Sequence, residues 1–260
     1  MNLIFTIFII AISLYFGGLN NVHDKLKYID NNIIINDFTN NSEISHKYNE
    51  YNLNDLKILN SFPNDMILDI RYSSKNNFTK QVLYDADIAV LKEKTLLKLL
   101  KAHDEFKSLG YKIKIWDAYR PFYVQKILWD ILPNSNYIAN PYKGGSNHNR
   151  ACAIDITLTD LQGNEINMPT GFDEFSEKAH RNYKYASIEQ IKNAEFLKNI
   201  MIKYGFKPIY TEWWHFDDSE YSNYSIIDIS LSELLENIYK NNERGWNKWK
   251  LIFQTKLAIS

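Results

Sequence analysis

The sequence predicts an α+β fold, a largely antiparallel sheet flanked by helices, on two observations. Stretches of helical period and short stretches of strand period are mixed without the steady strand–helix–strand rhythm of a parallel sheet. No Gly-rich loop of the kind that cradles phosphate follows any of the strands.

Each element has its own local reason. Ile67, Leu68, Ile70 and Tyr72 read as a strand that ends in the turn-like Ser73-Ser74-Lys75-Asn76-Asn77. Leu91 to Leu109 carries Leu96, Leu97, Leu99, Leu100 and Phe106 at helical spacing, and Gly110 is a natural stop. Tyr111, Ile113 and Ile115 alternate with Lys112 and Lys114, the mark of a half-buried strand. Pro121 opens a second helix that runs to about Leu132 and is stopped by Pro133. Ala151 to Leu158 reads as a strand, and Ile188 to Tyr204 as a helix closed by Gly205. Phe206 to Ile209 and the segment around Trp213 complete the strands.

A chain of 260 residues suits one domain of ordinary size with extensions. Met1 to Phe16 is almost continuously apolar and uncharged, and Gly17-Gly18 ends the run. Such a stretch is short for a spanning helix, which needs about 20 residues, and suits the core of a signal peptide. The expectation is export to the periplasm or medium, with residues 1–20 as a signal peptide or an uncleaved anchor. Against a cleaved signal, no Lys or Arg precedes the run and no clean small-x-small site follows it. Residues 21–54 are Asn-rich and read as a linker, 55–230 as the compact domain, and 231–260 as a helical extension bearing Trp246 and Trp249. Net charge is −1 with both signs interspersed, so no basic stripe argues for nucleic acid. The single Cys152 excludes an internal disulfide and any Cys-rich zinc site, and it follows that a metal here is held by His and carboxylate.

Two short blocks carry the chemistry. Ser146-Asn147-His148-Asn149-Arg150-Ala151-Cys152-Ala153-Ile154-Asp155 and Glu212-Trp213-Trp214-His215 together offer two imidazoles and two carboxylates. Three such groups hold a catalytic zinc and leave its fourth position open, while the fourth handles a proton. His148 and Asp155 are too far apart on a straight strand, at about 3.3 Å per residue, to meet at one atom. A loop carrying His148 back over a strand carrying Asp155 brings them together, and the small Ala153 on the same face leaves room. Cys152, pointing the other way, reads as a small buried hydrophobe. Glu212 and His215 need a bulged or turning strand end to aim inward together, with Trp213 and Trp214 expected to wall the pocket. As isolated patterns the Glu-x-x-His and the lone Arg120 before Pro121 are weak.

Jointly they are not. Asp117-Ala118-Tyr119-Arg120-Pro121, then Ser146, His148, Ala153 and Asp155, then Glu212-Trp213-Trp214-His215-Phe216 resemble the D-alanyl-D-alanine dipeptidases. These VanX-type zinc peptidases are relatives of the D,D-carboxypeptidases and of the hedgehog signalling-domain fold. Arg71-Tyr72-Ser73 with Asn77-Phe78-Thr79, and Phe172-Asp173-x-Phe175, resemble further blocks of that family, so the likeness runs from about Asp55 to Asp228.

The resemblance implies a single D,D-peptidase/hedgehog-like domain and one Zn2+ per chain, held by His148, Asp155 and His215. It implies Glu212 as general base and then acid, Arg120 as stabiliser of the transition state, and Asp173 as receptor of the substrate's ammonium group. Ser146, Tyr72 and Tyr84 are implied substrate contacts. The substrate is then a small D,D-dipeptide, with no nucleic acid and no membrane contact beyond an N-terminal anchor. The alternatives are a D,D-carboxypeptidase acting on cell-wall stem peptides and a non-catalytic zinc-stabilised binding module. Mere zinc binding needs neither Glu212 nor Arg120. One departure stands out: Ala151 replaces the family's usual glycine, at a cost of order 1 kcal/mol if that backbone has a positive φ.

Overall fold

Buried apolar positions at two periods organise the chain around one sheet. The computed structural model describes residues 53–62 and 64–238; the expected signal or anchor at 1–20, most of the 21–54 linker and the tail beyond 238 lie outside the described residues. Among the described residues there are seven short strands: β1 (Leu56–Ile58), β2 (Ile67–Leu68), β3 (Val90–Lys92), β4 (Tyr111–Asp117), β5 (Ala153–Asp160), β6 (Phe206–Pro208) and β7 (His215–Asp218). Three helices join them, α1 (Glu93–Ser108), α2 (Phe122–Ile131) and α3 (Ile188–Lys203), and residues 231–238 are helical as well.

The main sheet has the order β2-β4-β5-β7-β6, and β1 and β3 form a separate antiparallel pair. Only the β2–β4 pairing within the main sheet is parallel. The expected α+β architecture with a largely antiparallel sheet is therefore what the chain adopts. β5 is buried along nearly its whole length, as the central strand of a five-stranded sheet must be. On α1 the residues Leu96, Leu99, His103 and Phe106 make the buried stripe, whereas Leu97 is exposed rather than part of it.

Several boundaries differ from expectation for physical reasons. The strand expected over Ile67 to Tyr72 pairs only through Ile67 and Leu68. Arg71–Ser73 then tightens into a 3-10 turn, which buries the Tyr72 ring. The strand starting at Phe206 ends at Pro208, which has no N–H to extend the ladder. Trp213 and Trp214 precede β7 instead of belonging to a strand. β1 and β3 are three residues each, too short to register as alternation in the sequence. The helix beginning at Leu231 buries Leu231 and Leu234, and Asp85 accepts from the main-chain N–H of Leu231 and of Ser232 at 3.1 and 3.2 Å.

β7 is fastened to α1 by one buried carboxylate. Asp218 accepts from the Thr95 hydroxyl and from Lys98 Nζ, both at 2.6 Å, and from the main-chain N–H of Glu220 at 2.8 Å. Replacing Asp218 by Ala leaves the buried Thr95 hydroxyl without its acceptor and Lys98 with Glu220 alone, at 3.3 Å. The expected loss is about 2 kcal/mol, a fall of about 4–8 °C in Tm for a domain of this size. Thermal unfolding of the Asp218→Ala protein checks it; an unchanged Tm would mean the contact is not held in solution.

Candidate active site

The register of the sheet sets two of the candidate ligands side by side. Asp155 on β5 lies directly across from His215 on β7, and opposed residues on antiparallel strands share a face. Across β5's other edge the ladder slips: Ile115 faces Ile156, but the next paired residue, Asp117, faces Asp155. This bulge at Trp116 turns Asp117 to the same face as Asp155 and His215.

His148 arrives from the turn before β5. Residues Asn147–Arg150 form a 3-10 helix capped by Ser146, whose hydroxyl accepts from the His148 N–H at 3.2 Å while its own N–H donates to Asn149 Oδ1 at 2.8 Å. Ala151 then takes φ 56° and ψ 34°, the left-handed conformation that reverses the chain into β5. The positive φ that would suit glycine is thus present here, and Ala151 bears the strain.

The three candidate ligand side chains converge. His148 Nε2 lies 3.1 Å from His215 Nδ1 and 3.2 Å from Asp155 Oδ2, and His215 Nδ1 lies 2.9 Å from Asp155 Oδ1. Bonds of about 2.0–2.1 Å in a tetrahedron imply ligand–ligand edges of about 3.3 Å, close to the spacing observed. The far nitrogen of each imidazole is committed: His148 Nδ1 to the Ala118 carbonyl at 2.6 Å, and His215 Nε2 to Asp217 Oδ1 at 2.9 Å. In the neutral rings this turns both near nitrogens, lone pairs forward, toward one point beside a carboxylate. A proton or a metal cation satisfies that arrangement, and the donor set fits a small divalent metal.

The electrostatics agree. Burial works against charge on His215, but Asp217 and Asp155 outweigh it and hold the imidazole well above its usual range. Burial likewise opposes charge on Asp155, yet His148 and His215 keep its carboxyl well below the usual range. The cluster favours a bound positive charge.

Glu212 stands beside the triad, its carboxylate 4.0 Å from His215 Nδ1, and burial pushes its pKa up to about 7. Arg120 is buried. Its Nε and one terminal nitrogen donate to Asp117 Oδ2 at 3.1 and 2.7 Å, and the other terminal nitrogen donates to Gln125 Oε1 at 2.9 Å. The guanidinium also lies over the Tyr72 ring at 5.2 Å. Asp173, at φ 56°, accepts from the Tyr72 hydroxyl at 3.0 Å. Burial, and then the charge of Asp155, push the Asp173 carboxyl well above the usual range.

A cleft of ≈ 220 Å3 brings these groups together: Tyr72, Arg120, Ser146, His148, Asp155, Asp173, Glu212 and His215 all line it. Tyr84 does not reach it; its hydroxyl donates to Asp117 Oδ1 at 2.6 Å and so supports the residue that holds Arg120. Trp213 and Trp214 do not wall the cleft either. Both are buried in the core, packed against Trp116 and Phe172 respectively, because their rings are more useful as apolar mass behind the site.

Sequence reasoning missed Asp217, Gln125 and the cleft wall at Ser135 to Ala139. Asp217 had a readable signal, since position i+2 on a strand shares the face of His215. The other two come from a loop and a helix with no local mark of the site.

Comparison with known proteins supplies the family. Residues 52–231 match the family described as D-ala-D-ala dipeptidase. The chain belongs to that family. Curated relatives of the same name include one from Escherichia coli (strain K12), 33% identical over 166 residues, covering 64% of this chain and 85% of the relative. Another, from Enterococcus faecium, is 30% identical over 178 residues, covering 60% and 88%, and one from Enterococcus faecalis is 29% identical over 168 residues, covering 57% and 83%. Solved structures overlay loosely: a variant of the vancomycin-resistance D,D-pentapeptidase VanY with Zn(II) shares 14% identity at a TM-score of 0.35, over 50% of this chain and 74% of that one.

Asp217 is placed to orient the His215 ring from behind. Asp217→Ala is expected to weaken metal binding about 10- to 100-fold, read by competition against a chromogenic chelator. Unchanged affinity would show that His215 needs no such brace.

Proposed function

We propose that this protein hydrolyses the peptide bond of free D-Ala-D-Ala, using a zinc ion held by His148, Asp155 and His215. The observation that carries the substrate class is the placing of Asp173 and the metal triad on one small cleft. A buried carboxylate whose charge is disfavoured by burial and by Asp155 gains most from a cation, and a free dipeptide brings one as its α-ammonium group. Pockets for drug-sized ligands span about 300–1,000 Å3, so ≈ 220 Å3 suits a molecule of dipeptide size.

Zinc, when bound, supplies Lewis acidity and a water that ionises near neutral pH. The chain's own groups do the rest. Glu212, outside the triad and unbonded, takes the proton of the attacking water and passes it to the leaving amine. Its raised pKa keeps that proton exchangeable near neutrality. Arg120, locked by Asp117 and Gln125, presents a fixed positive charge to the carbonyl oxygen as it gains negative charge. Ser146 offers its hydroxyl hydrogen to the substrate while its oxygen caps the His148 turn. An N-acylated peptide would set an uncharged amide against Asp173 and leave that carboxylate unpaired, which disfavours longer substrates.

The apolar run from Met1 to Phe16 supports a second proposal, that the protein is exported. Fractionation of cells expressing a C-terminally tagged chain tests it, and a purely cytoplasmic signal would overturn it.

Purified protein is expected to cleave D-Ala-D-Ala, to lose activity to a chelator and to regain it with zinc. Faster cleavage of an acetylated tripeptide ending in D-Ala-D-Ala would favour the carboxypeptidase reading instead. Glu212→Gln should keep one zinc per chain and lower kcat about 100- to 10,000-fold; loss of the metal on this change would make Glu212 a ligand. Asp173→Asn should raise KM about 10- to 100-fold, the worth of a charge-assisted hydrogen bond, and an unaltered KM removes Asp173 from ammonium recognition.

A further inference from the structure

We infer that Arg181 is a positioning residue that holds the Glu212-bearing loop at its working width, an inference that rests on the hydrolase reading above. Glu212 lies between β6 and β7, on the segment from Ile209 to Trp214. Its carboxylate stands 4.0 Å from His215 Nδ1 and, among the described residues, accepts no hydrogen bond that would fix it. The position of the base is therefore set by the main chain of its own loop.

One side chain spans both ends of that loop. Arg181 Nε donates to the Ile209 carbonyl at 2.7 Å, and a terminal nitrogen donates to the His215 carbonyl at 2.9 Å. A guanidinium presents its donors in a rigid fork, so two simultaneous bonds fix the separation of the carbonyls they join. The main chain beside it completes the seat: the Arg181 N–H donates to the Tyr210 carbonyl at 3.0 Å, and the Trp213 N–H donates to the Ala179 carbonyl at 3.1 Å. The guanidinium also lies over the Phe216 ring at 4.7 Å, which keeps it from swinging away.

Arg181 serves here as a bridge between main-chain oxygens. Its charge is directed at two carbonyls in place of a carboxylate, and burial presses its pKa down to about 10. Among the described residues Arg181 forms no ion pair within 4 Å, although the charges of Glu195 and Glu212 favour its own, and a cation so placed is a poor stabiliser of a fold. It is well suited to bridging two oxygens whose spacing matters. His215 is held independently by its ladder pairing with Asp155, so the loop between the bridged carbonyls is what Arg181 controls.

Two variants of the full-length zinc-loaded protein test this. Arg181→Met keeps much of the side-chain bulk and removes both donors, whereas Arg181→Lys keeps the charge but cannot form the two-point bridge. Displacing a catalytic group by about 1 Å costs on the order of 100-fold in rate. The expected result for Arg181→Met is a kcat on D-Ala-D-Ala lower by about 10- to 100-fold, with zinc content kept and KM little changed. Arg181→Lys should recover part of that loss. Hydrogen-exchange mass spectrometry, which needs no turnover, should show faster exchange in residues 209–214 and unchanged exchange in β4 and β5. A kcat within twofold of the parent's, or faster exchange spread over the whole domain, would overturn the inference. A parent protein inert on D-Ala-D-Ala would overturn the hydrolase reading, while the exchange rates would still report on Arg181.

Discussion

Two imidazole lone pairs and a carboxylate aimed at one point are the constraint on which the rest of this structure depends. Only a shared positive charge keeps such groups together, and the protein commits each imidazole to that position from behind. The Ala118 carbonyl takes the far nitrogen of His148, and Asp217 takes that of His215. Neither ring is free to rotate its lone pair away without breaking a buried hydrogen bond. The surrounding elements serve this convergence: β5 and β7 set Asp155 against His215, and the capped turn at Ser146 returns His148 over them.

The bulge at Trp116 is the least conspicuous part of that design and among the most consequential. In an unbroken ladder Trp116 would face Asp155; with the slip, Asp117 does. Asp117 then becomes the anchor of a second layer, accepting from Tyr84 on one oxygen and from Arg120 on the other. The guanidinium that results is buried, always charged and fixed in place. Such a group stabilises developing negative charge without reorganising when the reaction occurs.

The loop carrying Asp173 is held by aromatic packing. Phe172 rests against Trp116 at 5.3 Å and Trp214 at 5.8 Å, while Phe175 meets Phe78 at 4.9 Å and Tyr137 at 5.4 Å. Apolar anchors on either side of a carboxylate let the chain adopt a left-handed φ of 56° at Asp173, a conformation Asp tolerates better than most residues. Arg120 and Asp173 meet at Tyr72, whose ring lies under the guanidinium and whose hydroxyl donates to the carboxylate.

What the sequence alone determined is local: the residues at 120, 148, 155, 173, 212 and 215 carry a resemblance to the D-alanyl-D-alanine dipeptidases, and helical and strand periods located α1, β4, β5 and α3 closely. These are local properties, carried by neighbours a few residues apart. It could not show that Tyr84 supports Asp117 instead of substrate, that the paired tryptophans fill the core, or that Asp217 braces His215. Those outcomes turn on which residues oppose one another across β4, β5 and β7. A one-residue slip in a ladder reverses every side chain beyond it, and only the packed sheet chooses the register.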